Sequence, residues 1–255
     1  DPSAPSPTPS RRTSTHEPFT MGFELVMLRH GQAEWIRNDH AVENPPLTPL
    51  GRRQIEAAAE ALRHEPFDQF LASPVARAWE SAQIVGAARQ AEPQRQDWLA
   101  EIRVPTLGRN REEFFSYFAR ARQRPPAAWW DGFEFSESFR EFHQRIAAGL
   151  YEWLARDHGL EPYEHDGFTM WRMPEATRKR RVLLVAHGGT ISVITGILLG
   201  VEPTPWEWER FDLNLAGIYR LGTVELAGSC TWSLRKANDT THLQGIDDDV
   251  QSPLE

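Results

Sequence analysis

A chain of 255 residues, 40% of them hydrophobic and 25% charged, has enough apolar material for one large globular domain or two small ones. Its formal net charge of -8 sets the surface against nucleic acid and anionic membranes. The longest apolar runs, Val182–Ala186 and the interrupted Ile191–Val201, are too short to span a bilayer, and the single cysteine, Cys230, excludes an internal disulfide and any cysteine-based zinc site.

Residues 1–20 hold five Pro, four Ser and four Thr without an apolar stretch, so they are expected to be disordered and are not a secretory signal. Met21-Gly22 then looks like a native start with added sequence before it. Phe23–Leu28 predicts a buried strand. Thr48-Pro49 supplies an N-cap and an N1 proline for a helix to about His64. Phe67–Ala72 predicts a second strand, and Ser73-Pro74 repeats the cap signal for a helix through about Arg89. Arg181–Ala186 predicts a third strand, with a helix from Gly188-Gly189 through Leu199. Weaker strands are expected at Leu215–Leu221, Thr223–Leu226 and Thr231–Arg235. Ala237–Glu255, with Asp247, Asp248 and Asp249, is expected to be a polar acidic tail, leaving a folded body at 21–236.

This alternation of strand and helix predicts an α/β fold with a mainly parallel sheet. Residues of about 103–178 break it. Two helices are expected there, Arg111–Arg122 and Ser136–Asp157, as a helical insertion over the sheet. Phe139, Phe142, Ile146, Leu150 and Trp153 form one apolar face of the second helix. Gly159 suits its C-cap, and His158 suits the negative end of its dipole.

Open α/β sheets bind ligands beyond the carboxyl ends of their strands. Three predicted strands end there in Arg29-His30-Gly31, in Ser73-Pro74 with Arg77 one turn on, and in His187-Gly188-Gly189. Two arginines, two histidines and the start of a helix therefore meet at one sheet edge. Guanidinium pairs and helix N-termini both suit a phosphate group. Any one of these residues alone is as readily structural. A metal at His30 and His187 would need further ligands and would be repelled by the arginines, so none is expected. No HExxH, GxSxG or GxxxxGK[ST] occurs.

The blocks LVMLRHGQAEW (25–35), LTPLGRRQ (47–54), SPVARAWESA (73–82) and LLVAHGGTISVI (183–194) resemble, in order and spacing, the phosphoglycerate-mutase-like branch of the histidine phosphatase superfamily. The resemblance runs from about residue 23 to 221, and Ser136-Glu137-Ser138 and LNLAGIYRL (213–221) also fit it. It implies a three-layer sandwich whose helical insertion covers the C-terminal edge of the sheet. It also implies metal-independent phosphate transfer through a phosphohistidine on His30, with no cofactor. Arg29, Arg77, His187 and Gly188 would bind the phosphate, and Glu101, in Leu99-Ala100-Glu101-Ile102, would be the acid. Family mutases carry an Asn where this chain has Ile36, which favours a phosphatase acting on small-molecule monoesters. A phosphomutase, an idle phosphate-binding regulator and a protein phosphatase are the alternatives. A cytoplasmic location is expected, and the oligomeric state is not indicated.

Residues 114–142 hold ten aromatics, against 11% for the chain. Trp129, Trp130, Phe133 and Phe135 fall outside any helical stripe, so they either line a substrate pocket or pack the insertion onto the sheet. Arg103, Arg109 and Arg111 either meet an anionic substrate group or are solvated.

Overall fold

The computed structural model describes residues 22–246. The chain runs β1 (Glu24–Arg29), a short hairpin of β2 (Ile36–Arg37) and β3 (His40–Ala41), α1 (Pro49–Leu62), β4 (Gln69–Ala72), α2 (Ala76–Arg89) and β5 (Gln94–Arg95). It continues through α3 (Arg111–Arg122), α4 (Phe139–His158), β6 (Glu161–His165), β7 (Phe168–Arg172), β8 (Arg181–Ala186), α5 (Gly188–Leu198), β9 (Ile218–Leu226) and β10 (Ser229–Asp239). The whole proline-rich start, 1–20, and the acidic part of the expected tail, with Asp247, Asp248 and Asp249, lie within 1–21 and 247–255, outside the described residues.

One eight-stranded sheet, in the order β5-β4-β8-β1-β9-β10-β7-β6, organises the molecule. The half built from β5, β4, β8 and β1 is parallel, and β9, β10, β7 and β6 extend it in antiparallel fashion. Strand residues alternate between two faces. Val26, Leu28, Phe70, Ala72, Leu183 and Val185 pack with Ile55, Ala58, Ala59 and Leu62 of α1 and Ala82 and Val85 of α2. Leu25, Met27, Leu71, Val182, Leu184 and Ala186 face the opposite way, toward Phe142, Ile146, Leu150 and Trp153 of α4 and Ile191 and Ile194 of α5. Three layers result, and they place the ends of β4, β8 and β1 side by side.

The apolar runs and the caps account for most of these elements. Thr48 Oγ1 accepts from Gly51 N at 2.9 Å with Pro49 at the first helical position. Ser138 and Glu141 form a capping box on α4, and Gly159 closes that helix in the left-handed region at φ 64°.

Four expected elements are corrected. Ser73 does not cap α2, which begins at Ala76 after an uncapped Val75, because its hydroxyl is engaged by His187 instead. β4 starts at Gln69 rather than Phe67. The insertion is not wholly helical, since β6 and β7 form a hairpin that lengthens the sheet. β6 is polar and mostly exposed, and β7 buries the adjacent pair Met170 and Trp171, so neither shows the alternation of a half-buried strand. The two late strands around Thr223 are one strand, β9.

The folded body also passes residue 236. β10 continues to Asp239, whose Oδ1 accepts from Thr241 N and Oγ1 at 3.2 and 2.7 Å, and the turn Thr241–Leu243 lies against α1. Leu243 is the one apolar side chain in that turn, packed at the edge of the α1–α2 core, too sparse a signal for composition to reveal.

His158 is a core residue rather than a cation at a helix end. Its ring lies 4.7 Å from that of Phe23 and 5.0 Å from that of Trp153, and Nε2 bonds Gln69 Oε1 at 3.1 Å. Burial lowers its pKa from 6.5 to about 4. The unfolded chain therefore binds a proton at His158 that the folded chain refuses between those values, so stability falls as pH drops through that window. Urea midpoints at pH 7 and pH 5 should fall less for His158→Gln than for the parent, and equal falls would place the ring in a solvated site.

Candidate active site

His30 follows β1 and is 2% exposed. Its backbone is held on both sides: His30 N donates to Ala186 O of β8 at 3.0 Å, and His30 O accepts from Ala216 N at 3.1 Å. Gly31 next to it faces Gly51 of α1, where a Cβ on either would sit 2.1–2.3 Å from backbone oxygen of the other segment. Only glycine permits that approach.

The imidazole is polarised in a defined sense. Nδ1 lies 2.7 Å from Gly31 O, a carbonyl that can only accept, so Nδ1 carries the proton. Arg77 Nε donates to His30 Nε2 at 3.0 Å, which requires a lone pair there. The two contacts agree on one neutral tautomer with Nε2 unprotonated. Burial, then the charges of Arg77 and Arg29, hold its pKa well below the ordinary value.

β8 lies between β4 and β1, so His187 at its end meets residues from both sides. Its ring centroid is 5.1 Å from that of His30, and its Nε2 lies 2.8 Å from Ser73 Oγ. Ser73 Oγ also accepts from Val75 N at 3.3 Å. His187 Nδ1 is buried with no hydrogen-bond partner among the described residues. Burial first, and Arg77 next, keep this ring neutral too.

Arg29 and Arg77 are 8% and 5% exposed, and both line one cavity of about 630 Å³ with His30, Glu101, Gly188 and Gly189. The Arg29 guanidinium donates to Leu213 O, which fixes it, and lies 3.3 Å from where a Cβ on Gly188 would be. The Arg77 guanidinium sits over the Trp35 ring, 4.9 Å from its centroid. His187 is fully buried behind this group.

Glu101 enters from the turn after Asp97–Leu99. Its Oε2 accepts from Gly189 N at the start of α5 at 2.8 Å, and Oε1 accepts from Ile102 N at 3.0 Å. Loss of bulk water raises its pKa above the ordinary carboxyl value, against the pull of those amides and of Arg77 and Arg29. A Cβ on Gly189 would lie 2.6 Å from Glu101 Oε1 and 3.0 Å from the Trp208 ring. Gly189→Ala must displace one of them. It should lower kcat by about 10–100-fold, the scale expected for a misplaced catalytic group. Thermal unfolding run alongside would show whether the fold is kept, and a folded variant of full activity would break the link between this amide and Glu101.

The structure thus gathers Arg29, His30, Arg77, Glu101, His187 and Gly188 about one point. Among the described residues no three His, Cys, Asp or Glu side chains cluster as a metal would need. The four aromatics of the insertion divide. Phe133 is buried and lines the cavity, whereas Trp129 donates to Arg124 O, Trp130 lies under Arg140 and Phe135 is exposed. Arg103 pairs with Glu43, Arg111 with Asp39, and Arg109 stacks on Tyr117, and none of the three reaches the cavity.

Residues that sequence reasoning passed over complete the walls: Trp206, Trp208 and Phe211 from the segment after α5, with Leu243 and Gln244 beyond β10. The first three form a close aromatic run outside helical spacing, the signal used for 129–135 and equally present here. Trp206 adopts the left-handed region, φ 60°, a conformation costing a bulky residue about 1–3 kcal/mol. Packing against Phe133, Phe139 and Trp208, at 5.7, 5.1 and 5.5 Å between centroids, holds it there.

Two guanidinium groups, two neutral imidazoles and a helix start can hold a tetrahedral oxyanion beside an unprotonated ring nitrogen. The chain belongs to the histidine phosphatase superfamily, branch 1, whose family model matches residues 25–162. It is 30% identical over 209 residues to a glucosyl-3-phosphoglycerate phosphatase of Mycolicibacterium vanbaalenii, covering 80% of this chain and 84% of that relative. It is 25% identical to a probable phosphoglycerate mutase of Proteus mirabilis, covering 89% and 99%. Among solved structures, a mycobacterial glucosyl-3-phosphoglycerate phosphatase superposes with a TM-score of 0.62 at 24% identity, covering 84% of this chain and 98% of that one, a likeness of fold.

Proposed function

We propose that the protein is a phosphatase that hydrolyses small-molecule phosphate monoesters through a phosphohistidine on His30. The observation that carries this reading is the neutral His30 ring with Nε2 bare and Arg77 donating to it. Nε2 attacks phosphorus in line, the bond from phosphorus to the ester oxygen breaks, and Glu101 gives its proton to that departing oxygen. Arg77 transfers its donor from Nε2 to an equatorial oxygen as phosphorus takes its place. Arg29 and His187 Nδ1 serve the other oxygens, where charge is spread in the transition state. Water then attacks the phosphohistidine, the carboxylate of Glu101 takes up its proton, and free phosphate leaves with His30 restored.

The scheme calls for no metal or cofactor. The relative from Mycolicibacterium vanbaalenii, a phosphatase, supports hydrolysis over transfer between hydroxyls. So does Ile36, which is half-buried against the core and does not line the cavity, where the family mutases carry an amide. No helix among the described residues is long and apolar enough to cross a membrane. Phosphate release from alkyl and aryl monoesters in the presence of EDTA tests the reading. Release that survives the chelator is expected. No release from any ester, or release that returns only with added divalent metal, would overturn it.

A further inference from the structure

The composition of the cavity beyond the phosphate group bears on the alcohol that the phosphate leaves behind. Its walls there carry six aromatics, Trp35, Phe118, Phe133, Trp206, Trp208 and Phe211, beside the uncharged polar Asn214, Thr240 and Gln244. Arg29 and Arg77 belong to the phosphate end. Arg122 is the one further cation among the lining residues, and its guanidinium lies 2.6 Å from Glu209 Oε1, also in the wall. Asp212 adds a second acid. A substrate with a carboxylate or a second phosphate would thus meet one neutralised cation and two carboxylates, whereas an apolar body would meet aromatic faces.

The direction of the leaving group follows from Glu101. The carboxyl that protonates the ester oxygen and the indole of Trp208 flank the same glycine, Gly189, each within 3.0 Å of its absent Cβ. A group attached to that oxygen starts out against Trp208. The Trp208 ring is held in turn by Phe139 and Trp206, at 5.4 and 5.5 Å between centroids.

Resting on the phosphatase reading above, we propose that the substrate is a monoester of an uncharged alcohol with an apolar or aromatic body, and that Trp208 selects it by packing against that body. Among alkyl esters the wild-type kcat/KM should rank 2-phenylethyl phosphate above ethyl phosphate by at least about tenfold, the scale of apolar pocket discrimination. 3-Phosphoglycerate should fall below both. All three are primary alkyl esters, so the ranking reads contacts to the leaving group rather than its reactivity.

Trp208→Leu should cut the phenylethyl-to-ethyl ratio by at least about fivefold, and Trp208→Phe should restore most of the ratio. Equal rates for the first two esters, or preference for 3-phosphoglycerate, would overturn the proposal on the wild-type panel alone, whatever the variants' folding. A ratio unchanged in a folded Trp208→Leu protein would remove Trp208 from the role. Failure of the phosphatase reading itself looks different: no phosphate from any of these esters or from 4-nitrophenyl phosphate.

Discussion

His30→Ala should lower kcat/KM for every phosphate monoester by at least about 10⁴-fold, because the variant loses the atom that bonds to phosphorus in the proposed mechanism. Neither neighbour can substitute. His187 is fully buried, has Nε2 engaged by Ser73, and does not line the cavity. Arg29 and Arg77 are cations with no lone pair to give. The variant should keep its fold, since the 30–31 backbone is fixed by Ala186, Ala216 and the approach of Gly51 rather than by the ring. Brief incubation of the parent with a radiolabelled ester and quenching in alkali should trap an alkali-stable, acid-labile phosphoprotein, absent from His30→Ala. Hydrolysis at undiminished rate in the variant would assign the chemistry to another group or to direct attack by water.

The second large effect is expected at Glu101. Glu101→Gln keeps an acceptor for the Gly189 amide but has no proton to give. It should lower kcat/KM for alkyl esters by about 10²–10⁴-fold and for 4-nitrophenyl phosphate by much less, since nitrophenolate leaves without protonation. The pH profile sharpens the assignment. In the proposed mechanism Glu101 works in the first step as the protonated acid, and its pKa is raised above the ordinary 4.5. As pH rises through that folded value the acid is lost, so kcat/KM falls on the alkaline side. His30 must be neutral, and its pKa is depressed below 6.5, so activity persists to lower pH than an ordinary histidine would allow. The alkaline fall beyond that of the ester's own ionisation should vanish in Glu101→Gln. A profile of the same shape in both proteins would place the acid elsewhere.

The polar centre of the site was legible along the chain for a specific reason. Each of its parts is local: Arg29-His30 ends one apolar run, Arg77 lies in the first turn after another, and His187-Gly188 joins a third to its helix. A parallel sheet brings such ends to one edge whatever the order of its strands. Ser73 shows the limit of that logic. Next to a proline before a helical segment it carries a capping signal, yet β4 and β8 are neighbours and His187 claims the hydroxyl. His158 misled in the same way. A helix end suits a cation on local grounds, but this one is closed against Phe23 and Trp153, where a charge is unfavourable.

The sequence by itself determined that the chain builds an α/β sheet, that Arg29, His30, Arg77 and His187 converge at the strand ends, and that the convergence resembles the histidine phosphatases. Those features depend on residues adjacent in the chain, where apolar runs, caps and turn residues act within a few positions. The tertiary structure alone decided which aromatics face the substrate and which do not. Trp208 and Trp206 enter the cavity because the segment after α5 folds against Phe133 and Phe139, more than sixty residues earlier in the chain, while Trp129 and Trp130 turn to other partners. It also decided that residues 237–246 belong to the body, closing the wall with Leu243 and Gln244. Such contacts follow from packing between distant segments, which leaves no periodicity in either of them.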